Sequence, residues 1–232
     1  MTTVLSYTLE GTLAIVRMDD GKANALSDAM IDGLTDAITR AESEATAMVI
    51  VGRPDRFCAG FDLRVMMSGP EAAKALLSKG ATLLMRLYGA ELPVVMACTG
   101  HALAGGALML LTGDVRIGTT GAFRIGLNEV AIGMPVPVLA MELARDRIRT
   151  TELTNATLGA KIYNPEEAAR AGYLDVVLSA DEVLGRAKEE AAKFGEYSRT
   201  AYKATKERLR RKTIHHITST LEADVASLLG GL

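Results

Sequence analysis

Apolar and polar positions alternate over residues 4–18 (VLSYTLEGTLAIVRM), and the alternation breaks at Glu10 and Gly11, which predicts a β-hairpin. From Ser27, a residue type suited to an N-cap, the period lengthens. Met30, Leu34, Ala37, Ile38 and Ala41 then share one face of a helix predicted over 27–45. A short buried strand follows at 48–51, and then a small-residue turn between strand and helix, FCAGFDL over 57–63. Residues 70–89 read as a helix with Pro70 near its start and Leu76, Leu83, Leu84 and Leu87 available for packing; Pro93 stops it.

The apolar run 94–98 predicts another buried strand. Gly100, Ala104, Gly105 and Gly106 then strip away the side-chain cover ahead of a second apolar run at 107–111, which predicts a strand, a bare turn and a helix start. No Cβ at Gly105 or Gly106 keeps a ligand away. The first N–H groups of a helix also lack intrahelical partners, so this turn can donate to an oxygen that gains negative charge. Downstream, Glu129 stands among Leu127, Val130, Ala131 and Ile132, and an acid in apolar company acquires the raised pKa that a proton shuttle needs.

Pro135 and Pro137 open a helix through about 144, and 149–158 predicts another. Residues 164–172 carry an Asn cap, a first-turn proline and a glycine stop, the marks of a short helix. A strand is expected at 174–178, then helices over 181–195, 198–211 and 213–229. Repeated strand-then-helix units followed by helices alone predict an α/β core over 1–178 and a helical region over 179–232.

With 232 residues, 49% of them apolar, the chain can bury a sizeable core. The balance of 26 basic and 28 acidic residues gives a net charge of −2 and excludes a general nucleic-acid surface. The densest basic cluster, KERLRRK over 206–212, reads as the wet face of a helix before it reads as a phosphate patch. Cys58 and Cys98 lie in apolar runs without metal-ligand spacing and are expected to be reduced core thiols. The first residues lack the pattern of a secretory leader, and no run of roughly 18 apolar residues occurs, so a cytoplasmic chain without membrane spans is expected. His101 has no matching Ser or Cys nucleophile and is expected to be structural. His215 and His216, adjacent on a predicted helix, cannot share a face, so no metal site is expected.

Six segments appear together in one order: KANAL (22–26), FCAGFDL (57–63), GHALAGG (100–106), DVRI (114–117), NEVAIG (128–133) and PEEAARAGYLDVV (165–177). On these the chain resembles the crotonase family, the enoyl-CoA hydratases and isomerases. The resemblance implies a spiral of ββα units with a helical C-terminal region that joins copies into a homotrimer or a dimer of trimers. It also implies an acyl-CoA thioester substrate, coenzyme A being part of that substrate and no separate cofactor being needed. The thioester oxygen would lie between the backbone N–H groups of Phe61 and Gly105, with Glu129 as the acid–base residue. Lys22, Ala23, Ala25, Ala59, Gly60, Asp62, Leu63, Arg64 and Leu108 would line the substrate, with Lys22 and Arg64 toward the CoA phosphates, although either reads equally well as a solvated surface charge. Asp62 reads first as a helix cap and second as a substrate contact.

Hydratases of the family use two glutamates. The first of those positions aligns here with Leu108, which can neither hold nor polarise water, and the second is Glu129. One carboxylate beside an oxyanion site can still move a proton from C2 to C4, as in the family's delta-3,delta-2-enoyl-CoA isomerases, so the leading expectation is an isomerase. The alternatives are hydration or thioester hydrolysis by the same fold, and a non-catalytic acyl-CoA-binding or scaffold protein. The chain ends soon after Leu228, short for the family, which implies a last helix that is reduced or supplied by a neighbour.

Overall fold

The structure, a computed structural model, describes residues 4–230; residues 1–3 and 231–232, the outer ends of the two predicted regions, lie outside the described residues. The first half runs β1 (Leu5–Glu10), β2 (Leu13–Met18), α1 (Asp28–Glu44), β3 (Ala47–Val51), β4 (Asp55–Cys58), α2 (Leu63–Met66), α3 (Pro70–Tyr88) and β5 (Val94–Cys98). The second runs β6 (Gly100–Leu103), α4 (Gly105–Thr112), β7 (Val115–Thr119), β8 (Ile125–Gly126), α5 (Val138–Arg147), α6 (Leu153–Ala156), α7 (Pro165–Ala171), β9 (Val176–Leu178), α8 (Val183–Gly195) and α9 (Arg199–Gly230).

Six strands form one sheet in the order β1-β2-β3-β5-β7-β9, antiparallel at the β1/β2 hairpin and parallel elsewhere. Its inner strands are buried on both faces, which is why they read as unbroken apolar runs. Met48, Ile50, Val94 and Met96 join the core that α1 and α3 complete, while Ala47, Val49, Val51, Val95 and Ala97 face Val183, Ala187 and Ala191 of α8. β3, β5 and β7 are each followed by a strand that leaves this sheet. Those second strands pair in parallel as β4-β6-β8. The result is the expected α/β succession of ββα units, with α8 covering the sheet and α9 lying along α3 and α5.

Several expectations hold in detail. Ser27 caps α1 by accepting the Met30 N–H at 3.3 Å, and the five apolar positions of its face are all buried. Asn164 and Glu167 form a capping box on α7, which Gly172 ends at φ +109°. Other expectations are corrected. The bare turn expected after 98 is largely a strand, β6, leaving only Ala104 between strand and helix. The helix expected over 149–158 shrinks to α6, where the Thr157 hydroxyl bonds back to the Leu153 carbonyl and Ala160 turns to φ +45°. The two last predicted helices are one 32-residue helix.

The reading of the basic cluster on α9 is corrected in part: Arg208, Arg211 and Lys212 are exposed as expected, but the other two cations are not. Lys206 and Arg210, one turn apart, point inward at Asp114 with separations of 2.7 and 2.8 Å, and all three side chains are at most 7% exposed. Burial alone would push the Asp114 carboxyl up, but the two cations outweigh it and hold it below the usual carboxylate range. Lys206 shares that one carboxylate with Arg210, so its own burial dominates and pushes it down to about 8. Lys206 also donates to the Leu92 carbonyl at 3.1 Å, and Arg210 donates to the Tyr88 carbonyl at 2.7 Å while lying over the Tyr88 ring. This clamp fastens α9 to the core. Asp114→Asn strands two buried cations and should lower the unfolding free energy by about 3–5 kcal/mol in urea titrations. Breaking the exposed pair between Lys203 of the same helix and Glu91 of the loop before β5 should cost less than about 1 kcal/mol.

Candidate active site

The three short parallel strands end at one edge, and each delivers one segment there: residues 59–61 after β4, 104–105 after β6 and 127–129 after β8. The carboxyl ends of parallel strands are where a backbone emerges with its polar groups uncommitted. At the first turn, the Leu26 N–H donates to the Gly60 carbonyl at 2.8 Å and the Asp62 N–H donates to the Leu26 carbonyl at 3.2 Å. These two bonds flank Phe61, so its own N–H points to the opposite side, and among the described residues it has no hydrogen-bond acceptor.

At the second turn, Ala104 sits at φ +49°, ψ −122°, a conformation costing roughly 1–3 kcal/mol for a residue with a Cβ. It is held there by its N–H bond to the Gly126 carbonyl, 3.0 Å, and it starts α4. The Gly105 N–H is the first of that helix and is likewise without an acceptor among the described residues. The two turns touch. A Cβ on Gly60 would lie 3.1 Å from the Leu103 carbonyl oxygen and 3.3 Å from the Gly105 nitrogen, and one on Gly106 would overlap the Cys58 carbonyl. The Phe61 ring fills the space between Gly80 of α3 and Gly105, where side chains on either glycine would strike it.

Residues 22–26 form the wall beside the first turn. Asn24, absent from the sequence-derived candidates, staples that wall. It is fully buried at φ +51° and donates from Nδ2 to the carbonyls of Met18, Arg56 and Phe57 at 3.0–3.3 Å. Ala23 accepts the Ala59 N–H at 3.1 Å, and Ala25 donates to Asp20 at 3.3 Å. Lys22 and Arg64 are exposed. Arg64 is engaged with Asp62, 3.2 Å away, and Asp62 caps α2 through the Arg64 N–H, so the helix-cap role expected of Asp62 is present. Leu63 stands exposed on α2 and Leu108 is buried on α4, one turn beyond Gly105.

Glu129 is 8% exposed, and its Oε2 is buried without a hydrogen-bond partner. Burial raises its carboxyl above the usual range; its own N–H and that of Asn128 offset this only in part. Asp62 is shifted the other way by its bond to Arg64. The site thus holds one carboxylate ready to be protonated. His101 lies apart from it, its Nδ1 accepting the Arg124 N–H at 3.0 Å and its ring edge-on to Phe123. Cys58 and Cys98 are free, buried and pushed by burial up to about 12.

A family model described as enoyl-CoA hydratase/isomerase matches residues 8–229. The chain belongs to that family. This enoyl-CoA hydratase/isomerase family member is 28% identical to rat mitochondrial enoyl-CoA delta isomerase 1 over 221 residues, 93% of this chain and 76% of that one. It is 30% identical to the short-chain-enoyl-CoA hydratase of Clostridium acetobutylicum over 217 residues, 87% of this chain and 79% of that one. Its structure matches that of an enoyl-CoA hydratase/isomerase family protein from Pseudomonas syringae with a TM-score of 0.94 at 37% identity, covering 97% of this chain and 98% of that one. The fold is therefore the crotonase fold, and relatives of both activities lie within similar distance.

An ionised, partnerless Glu129 is a burden on stability. Because its folded pKa is raised, the penalty is absent below the ordinary glutamate pKa of about 4.3, develops as pH rises through it, and is complete above the raised folded value. Glu129→Gln should therefore have a higher Tm than the wild type at neutral pH, with the gain vanishing in acid, as differential scanning calorimetry across pH would read.

Proposed function

We propose that this family member is an acyl-CoA-acting isomerase that shifts the double bond of a 3-enoyl-CoA to the 2-position with one glutamate. What carries the proposal is a buried carboxylate with an unpartnered oxygen, Glu129, at an edge where Leu108, which the family resemblance aligns with the hydratases' other acid, is buried and apolar. Glu129 takes a proton from C2, and the electron pair left behind spreads over C2, C3, C4 and the thioester oxygen as a dienolate. The N–H groups of Phe61 and Gly105 donate to that oxygen; in other enzymes one such donor is worth roughly 3–4 kcal/mol of barrier. The protonated Glu129 then returns its proton at C4, the bond settles between C2 and C3, and the carboxylate is restored. No atom is gained or lost, so no water is needed. The raised pKa serves the first step, because a weaker acid has a stronger conjugate base and the carboxylate must take the C2 proton.

A second reading, thioester hydrolysis or slow hydration, draws on Asn128 Oδ1, which is also buried without a donor. One water could bridge it to Glu129. The proposal extends to a cytoplasmic homotrimer or dimer of trimers joined through 179–232. Among the described residues no helix is long and apolar enough to cross a membrane.

Offered 3-enoyl-CoA and 2-enoyl-CoA separately, the purified protein should convert the first to a conjugated thioester, read by its ultraviolet absorbance, and leave the second unchanged. Consumption of the 2-enoyl ester would favour hydration, release of free CoA would favour hydrolysis, and tight binding without turnover would favour a scaffold. Glu129→Gln should lose at least about a hundredfold in kcat while CoA-ester binding stays nearly intact.

A further inference from the structure

The segment over 163–173 lies directly behind the loop that carries Glu129. Tyr163 and Ile125 exchange both backbone hydrogen bonds, at 3.0 and 2.9 Å, and the Tyr163 ring packs on the Tyr173 ring with centroids 5.6 Å apart. Tyr173 is fully buried, anchored by its N–H to the Ala168 carbonyl and preceded by Gly172, whose backbone turn leaves no room for a side chain against Arg147. Its partner phenol is accounted for, since Tyr163 donates to Glu152 at 3.0 Å. The Tyr173 hydroxyl is not: it is buried and makes no hydrogen bond. Among the described residues the other buried side-chain oxygens without partners are Tyr7 Oη, far off on β1, and two acceptors on the loop in question, Asn128 Oδ1 and Glu129 Oε2.

A buried donor without an acceptor beside buried acceptors without a donor is a costly arrangement unless something joins them, and one enclosed water is the usual link. We propose that Tyr173 is a positioning residue for Glu129, its hydroxyl donating through a bridging water to Glu129 Oε2 and so fixing where the carboxylate points and how readily it takes a proton. This rests on Glu129 being the proton carrier. In support, the Glu129 charge is close enough to push the Tyr173 phenol upward, although burial is the larger cause, and the Leu127 N–H also approaches that oxygen. The charged and titratable neighbours are few. Tyr163 faces Tyr173; Glu152, Glu167 and Lys161 stand around Tyr163; Arg116 and Asp175 pair with each other beyond Tyr173; α4 presents only apolar side chains and Thr112. Among the described residues no other charge competes for the Glu129 carboxyl.

A donor to a carboxylate favours its charged form, so removing it raises the titration midpoint. The test is carbon NMR of 13C-labelled glutamate carboxyls in the full chain without substrate, with Glu129 identified by the signal lost in Glu129→Gln. In Tyr173→Phe the Glu129 midpoint should rise by about half to one pH unit, and the Tyr163→Phe control should leave it in place. Turnover of 3-enoyl-CoA should show the acid limb of kcat moving with the midpoint and KM unchanged. Should Tyr173→Phe fold poorly, 3-fluorotyrosine at 173, a stronger donor, should move the midpoint the other way. An unmoved midpoint in the folded variant overturns the proposal. The NMR midpoint needs no turnover, so a shifted midpoint with no isomerase activity in any form would refute the isomerase reading and leave the positioning role standing.

Discussion

Close backbone approach between the ends of β4 and β6 governs this molecule. The Cys58 carbonyl lies where a side chain on Gly106 would be, and Gly60 stands against the Gly105 nitrogen. Two turns from chain segments more than forty residues apart can share one small space only because neither presents a Cβ there. The strained Ala104 is part of the same constraint. Its N–H is tied to Gly126 of β8, so the third strand holds the turn that starts α4 and, three residues on, supplies Glu129. Two uncommitted amides and one uncommitted carboxyl therefore come from one three-stranded sheet.

The rest of the fold makes that arrangement rigid. The six-stranded sheet, packed on both faces, sets the spacing of β3, β5 and β7, whose continuations are the three short strands. Asn24 fastens the neighbouring wall with three hydrogen bonds to backbone carbonyls. The buried clamp of Asp114 with Lys206 and Arg210 holds α9 against the loop between α4 and β7. Among the described residues, three of the buried side-chain oxygens without partners, Asn128 Oδ1, Glu129 Oε2 and Tyr173 Oη, fall at this edge or just behind it, and a carboxylate with an unpartnered oxygen survives because the surrounding packing is tight enough to bear its cost.

Much of the candidate site was legible because its chemistry is written in local patterns. The bareness of Gly105 and Gly106 and the apolar company of Glu129 are properties of short segments, while the reading of Leu108 came from the family resemblance. The apolar runs of β3 and β5 and the faces of α1 and α3 were equally plain, since burial on one or two faces imposes a period on the residues. What escaped detection has no period to show. β8 is two residues long and β6 four, too short for alternation to be read, although Gly100–Leu103 does alternate between buried and half-buried positions.

The inward turn of Lys206 and Arg210 was hidden for a different reason. A charge run looks the same on a wet face and on a face that meets a buried aspartate, and only the docking of α9 decides between them. Tyr173 and Asn128 likewise gain meaning from neighbours more than thirty residues away in one case and adjacent in the other. The sequence by itself determined the α/β class, the family and the identity of the groups that can do chemistry, because these follow from residue type and short-range spacing. Tertiary structure alone decided which amides are left unpaired, which carboxylate is buried without a partner and which face of the last helix is dry, because each depends on contacts between segments that no local pattern records.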